Sequence, residues 1–192
     1  MKNQSLQAFA LRTLVALFVA AMVLTVSSPT AHATEAAEID AAVDEGLERL
    51  FAEVPEAREL AGKSAGVLLF PKITKAGLVV GGAGGKGALR VDGRTSGYFQ
   101  SHALSVGYQA GVETFGYALF LIGEEDLKTL EANRGSFDLG TAPSLVIADK
   151  GFVRELGTRN IQSGIVAIFF SEQGLMAGAG LQATKIKQIS PN

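Results

Sequence analysis

The 192-residue sequence has no cysteine, no tryptophan and only two histidines. Without cysteine there is no disulfide framework, no thiolate nucleophile and no lipobox cysteine to carry an N-terminal lipid. Whatever holds this protein at a membrane must therefore be its folded surface. Beyond the N-terminal 33 residues His102 is the one remaining histidine, so a histidine-based zinc site would have a single imidazole and no thiolate to complete it. No residue is assigned to a metal or to any cofactor. Long apolar runs are also scarce. The one candidate, Leu14 to Val26, is about 13 residues where a membrane span needs about 20.

That run lies in a recognisable context. Lys2 and Arg12 precede it, and Ser28-Pro29-Thr30-Ala31-His32-Ala33 follows, ending in the Ala-x-Ala pattern of signal-peptidase cleavage. Residues 1–33 are expected to be a secretory signal removed near Ala33, and residues 34–192 a single exported domain in the periplasm or cell envelope. Its 159 residues suffice for one hydrophobic core. The signal holds two of the 17 basic residues and none of the 19 acidic ones, so the rest carries a net charge of about −4. That balance argues against a nucleic-acid partner, while leaving room for a local basic patch.

Thr34 to Phe51 is the clearest helix, with Ile39, Val43, Leu47, Leu50 and Phe51 at helical spacing and Glu35, Glu38 and Asp40 crowding its positive end. Its polar face is acidic, whereas helices that lie on membranes are usually basic, so packing on its own sheet is expected. Pro55 suits the start of a second helix, Glu56 to Ala61, which Gly62 would stop. Strand patterns follow. Ala65 to Phe70 is a short apolar run that Pro71 should close, Lys72-Ile73-Thr74-Lys75 reads as a turn, and two further strands, Ala76 to Val80 and Ala88 to Val91, flank a glycine turn. Residues 105–112 alternate small or polar with apolar side chains. A short helix, Glu124 to Ala132, is inserted after the apolar strand Tyr117 to Ile122. Phe137 to Gly140 and Ser144 to Ala148 are expected to be extended, with a turn at Asp149-Lys150-Gly151. Ile165 to Phe170 reads as a central strand, Leu175 to Leu181 as alternating, and Thr184 to Ile189 as a polar edge. All 23 glycines lie beyond residue 33, which points to bends, bulges or close backbone approach in a strongly curved sheet. The expected fold is α+β: a mostly antiparallel, glycine-rich sheet, barrel-like or two-layered, with two N-terminal helices and one inserted helix.

Catalytic patterns are thin. Gly82-Ala83-Gly84-Gly85-Lys86-Gly87 matches G-x-G-x-x-G, but a dinucleotide site needs that motif to open a helix, and strand-like residues follow it here. No nucleotide partner is expected. There is no G-x-S-x-G elbow, and Glu124, Glu125 and Asp126 sit at a helix start where the dipole explains them. No residue set argues for an enzyme. If the two turns meet at one end of the sheet, Lys72, Lys75 and Lys86 would converge with glycine N–H groups on a phosphate or carboxylate. The plain alternative is three lysines that keep loops soluble.

Ala65-Gly66-Val67-Leu68-Leu69-Phe70-Pro71, Lys75-Ala76-Gly77, Val80-Gly81-Gly82 and Gly85-Lys86-Gly87 together resemble the opening of the SYLF domain family. The likeness continues through Ser105-Val106-Gly107-Tyr108-Gln109-Ala110-Gly111, Phe137-Asp138-Leu139-Gly140 and residues 174–181, covering about residues 36 to 189. This resemblance implies lipid binding: eukaryotic members are peripheral modules that bind phosphoinositide membranes through basic residues and an N-terminal amphipathic helix, and some bind actin. The corresponding helix is acidic here, and Tyr98-Phe99-Gln100-Ser101 lacks the family's tryptophan and proline. The resulting expectation is a non-catalytic module that binds anionic phospholipid or a membrane surface in the envelope, with Lys72, Lys75 and Lys86 as headgroup contacts. The alternatives are a structural or protein-interaction module holding an envelope partner and, third, a small outer-membrane barrel.

Overall fold

Thr34 begins the first helix, its Oγ1 accepting the Ala37 N–H at 3.3 Å, and α1 (Glu35–Glu53) then runs with Ile39, Val43 and Leu50 buried. Helix α2 (Glu56–Lys63) follows after a break at Val54 and Pro55; Gly62 falls inside its last turn rather than ending it. A computed structural model describes residues 34–77, 80–106, 111–133, 136–142, 145–148, 153, 162–171 and 183–192. All described residues belong to one compact unit, Ala33–Asn192.

Eight strands form one strongly curled, half-barrel sheet. In chain order they are β1 (Gly66–Gly77), β2 (Val80–Val91), β3 (Arg94–Val106), β4 (Gly111–Leu121), β5 (Phe137–Asp138), β6 (Leu145–Ala148), β7 (Ile165–Phe170) and β8 (Thr184–Ile189). Across the sheet they run β5-β8-β3-β2-β1-β4-β7-β6, antiparallel except for the β6–β7 pair. Helix α3 (Glu124–Ala132) leaves β4, and Asp126 Oδ2 ties its start to β7 by accepting the N–H groups of Gly123 at 2.9 Å and Gly164 at 2.8 Å. The expected α+β class, the two N-terminal helices and the inserted helix are all present.

Two local expectations are corrected. Lys72-Ile73-Thr74-Lys75 is not a turn, and Pro71 does not close a strand: β1 runs straight through both. Its register slips by one residue against both neighbours, between Leu69 and Thr74 on the β2 side and between Phe70 and Ile73 on the β4 side. One extra residue around Pro71 and Lys72 bulges out of both ladders, which is where a proline without an N–H can sit in a central strand. Likewise Gly82 to Gly87 is not a turn but the body of β2. A Cβ on Gly85 or Gly87 would run into the carbonyl oxygens of Lys72 and Leu69, so these glycines let β2 follow the bulged strand closely. The tight turn comes later, at Asp92 and Gly93, both with positive φ and joining Val91 to the paired Arg94. Phe137 to Gly140 is extended only through Asp138, after which Leu139–Thr141 forms a single 3-10 turn. Thr184–Ile189 is not an edge strand, because β5 pairs on its outer side at Lys185 and Ile186. The expected pattern at residues 107–110, the turn at 149–151 and the strand at 175–181 lie outside the described residues.

Both faces of the sheet carry apolar cores. On the α1 face, Ile39, Val43 and Leu50 pack with Leu69, Ala118 and Phe120. On the opposite face, Phe70, Tyr117 and Leu119 pack with Leu127 and Leu130 of α3 and with Leu139. Tyr117 is fully buried there and donates its hydroxyl to Ser101 Oγ at 2.7 Å, and burial pushes its pKa well up.

Candidate functional site

Strand register divides the α1 face into rows that cross the sheet, and the rows change character along the strands. Ile189, Tyr98, Ala88, Leu69, Ala118 and Ile168 form one row by pairing, and all belong to the core under the helices. Side chains alternate faces along a strand, so the next rows on this face lie two residues further on. The first is Lys187, Gln100 and Lys86, continuing toward the bulge at Lys72. Beyond it lie Lys185, His102, Gly84, Thr74 and Thr114, and the last row is Leu104, Gly82, Ala76 and Val112.

Helix α1 does not reach those last rows. It sits tightly over β1, where a Cβ on Gly46 would lie 2.8 Å from Leu69 Cδ2 and 3.0 Å from Pro71 Cβ. Its first turn ends over β2, where Glu35 is ion-paired with Lys86. At its other end Glu53 accepts the Ser171 N–H at 3.0 and 3.1 Å, just past β7. Lys72, Lys185, Lys187, His102, Thr74 and Ala76 are consequently exposed, and Leu104 and Val112 are 72% and 71% exposed. The same strands bury Phe99 and Leu119 to 2% or less, so the exposure belongs to this end of the strands and not to their whole length.

The electrostatics of the two regions differ. Under the helix, Arg90 joins Asp40 at 3.1 Å and Asp44 at 2.5 Å, while Asp40 also accepts the hydroxyls of Thr95 at 2.7 Å and Tyr98 at 2.8 Å. Burial pushes the Asp40 pKa up, but the Thr95 and Tyr98 hydrogen bonds and the Arg90 charge together outweigh it and hold it below the usual carboxylate value. The same bond to Asp40, with burial, raises the Tyr98 phenol. Every charge in this cluster is thus engaged. On the bare rows from β8 to β4 the described residues include no carboxylate. Asp138 of β5 flanks Lys185 and accepts the Gly140 N–H at 3.0 Å, and Glu35 is held by Lys86, whose hydrogen bond is the main cause of its lowered pKa. Among the described residues Lys72, Lys185 and Lys187 form no ion pair.

The three lysines singled out from sequence are not brought to one point. Lys72 follows Pro71 at the bulge and adjoins Ile73, which faces the opposite core, so Lys72 takes the α1 face, and Lys86 shares that face. Lys75 has the parity of Ile73, lies on the opposite face and pairs with Glu113 at 3.5 Å. The cations that complete the strip, Lys185 and Lys187, were read only as part of a polar edge. Their signal was present: Lys185-Ile186-Lys187 alternates, which places both ammonium groups on one face once β8 is known to be a strand. His102 stands exposed in the middle of the strip.

No protein-family model matches this chain, and no curated protein matches it either. Among the described residues no helix is long and apolar enough to cross a membrane, and no three histidine, aspartate or glutamate side chains are grouped as metal ligands would be.

Proposed function

We propose that this chain is a non-catalytic module that binds an anionic membrane surface in the cell envelope, as its resemblance to SYLF domains implies, after export and removal of residues 1–33. The observation that carries the reading is the lysine strip at the end of the α1 face: Lys72, Lys185 and Lys187 are exposed and form no ion pair among the described residues, Lys86 lies beside them paired with Glu35 of α1, and Asp138 of β5 flanks the strip at Lys185. Lysines near an anionic surface each contribute about 1 kcal/mol of attraction that salt screens. Lys72 and Lys86 remain headgroup contacts in this proposal, joined by Lys185 and Lys187; Lys75 faces the other way.

The test is co-sedimentation of the processed protein with phosphatidylglycerol vesicles. Binding should weaken as salt rises and collapse in the quadruple variant Lys72→Glu, Lys86→Glu, Lys185→Glu, Lys187→Glu. Equal binding to neutral phosphatidylcholine vesicles would sink the reading. A protein-interaction module is the second reading, favoured by edge strand β6, whose Val146 and Ile147 are 36% and 41% exposed. Retention of an envelope partner without vesicle binding would favour it. The barrel alternative is weakened because helices pack on both faces of the sheet, α1 on one and α3 on the other, so neither face is left bare for lipid along its length.

A further inference from the structure

The bare rows are ordered along the strands, and that order has a physical counterpart. The outermost row places Leu104 on β3 and Val112 on β4, with only Gly82 and Ala76 between them. Three strand spacings separate the two, about 14 Å, and both point to the same face. Two residues back, about 7 Å along the strands, come Lys185 and His102; a further 7 Å or so back come Lys187 and Lys86. A membrane leaflet presents the same sequence of chemistries with depth: acyl chains, then a polar headgroup layer several ångströms thick that holds the phosphates. An exposed leucine and valine one and two rows ahead of the lysine positions, about 7 and 14 Å along the backbone, match that order, since lysine stems can lie along apolar surface while their charged ends stay in the headgroup layer.

Resting on the membrane-surface reading above, we propose that Leu104 and Val112 are penetrating anchors: the far ends of β1 to β4 point toward the bilayer, the two aliphatic side chains enter the acyl boundary, and the lysine rows behind them meet lipid phosphates. Leu104 and Val112 share a depth because they lie on one pairing row, and Gly82 and Ala76 put no bulky side chain between them. On the opposite face of these strand ends, Lys75 and Glu113 neutralise one another at 3.5 Å, so the charges carried toward the interface there are paired. The occupant of this surface is an anionic bilayer rather than a second copy of the chain, because a copy would bring the same lysine rows face to face and repel.

The absence of tryptophan provides a clean reporter. Leu104→Trp and Val112→Trp are each made in the processed protein, purified from cells expressing the whole chain, with Thr129→Trp on the exposed side of α3 as the control. With phosphatidylglycerol vesicles, emission should shift to the blue for the first two and become quenchable by brominated acyl chains, while the Thr129→Trp signal stays put. The double variant Leu104→Ser, Val112→Ser should bind about tenfold more weakly, and its residual binding should be abolished by salt. Co-sedimentation with unmoved emission at 104 and 112 would overturn the anchors and leave the membrane-surface reading standing. Failure of the unsubstituted protein to co-sediment would overturn both. A blue shift that grows with protein concentration in the absence of vesicles would assign the row to self-association instead.

Discussion

The two ends of the α1 face are made by the same strands yet obey different rules. At the covered end, Leu69, Ala88 and Ala118 meet Val43 and Leu50 with essentially no solvent exposure, and the polar groups at the margin are tied together through Arg90 and Asp40. At the bare end, glycine, threonine and alanine replace the large core residues, lysines take the polar positions, and the two large aliphatic side chains stand in solvent. Burial is concentrated in the first region, and the second is left exposed. Burying a leucine or valine side chain contributes roughly 1.5 to 3 kcal/mol, a gain that Leu50 and Val43 realise and that Leu104 and Val112 forgo.

The sharpest way to break the contrast is to make one change at both ends. Leu50→Ala, under the helix, should destabilise by about 4 kcal/mol because it leaves a cavity in a fully buried site. Leu104→Ala should change stability by no more than about 0.5 kcal/mol. Urea denaturation of the two variants measures both, and similar losses would erase the distinction. Next in size is Gly87→Ala, expected to cost about 3 kcal/mol by forcing β2 away from the bulged β1. Gly82→Ala, where the nearest atom to a new Cβ is 3.9 Å away, should be tolerated.

Smaller again is Asp40→Asn, at about 1.5 kcal/mol near neutral pH, since a charged acceptor of three donors becomes an amide. Because the folded Asp40 pKa lies below its ordinary value of 3.8, its contribution is present above that pH and is lost as the pH falls through the folded value. Stability of the unsubstituted protein should therefore fall more steeply than that of Asp40→Asn below about pH 4, as followed by denaturation midpoints across an acid series. Parallel acid profiles would remove Asp40 from the clamp. Smallest of all, Lys185→Glu and Lys187→Glu should shift stability by at most about 0.5 kcal/mol while reducing vesicle binding, which separates surface from scaffold.

Much of this contrast could be read before any coordinates, and the places where reading failed share a cause. Helices α1 and α3 were legible to within two residues at each end, because apolar spacing and acidic first turns act locally. The central position of Ile165–Phe170 followed from its unbroken apolar run, and it is paired on both sides. Pro71 and the glycines of β2 misled for one reason: locally each is a turn signal, and only the bulge in β1, with β2 pressed against it, makes each of them a strand residue. The lysine site was half legible. Lys72 and Lys86 lie on one surface, but the extra bulge residue reverses parity along β1 and sends Lys75 through to the other face. Lys185 and Lys187 joined them across β3, by pairing with His102 and Gln100, residues far apart in the chain, and such pairing carries no local mark.

By itself the chain's order of residues determined what short-range physics can decide: helix positions from periodicity and capping, extended segments from apolar runs, and a surface free of thiol chemistry. Tertiary structure alone decided which residues share a face and which part of that face α1 leaves open. Those outcomes depend on strand register and on where one bulge falls, and register is settled by contacts between segments far apart in the chain, which no local pattern encodes.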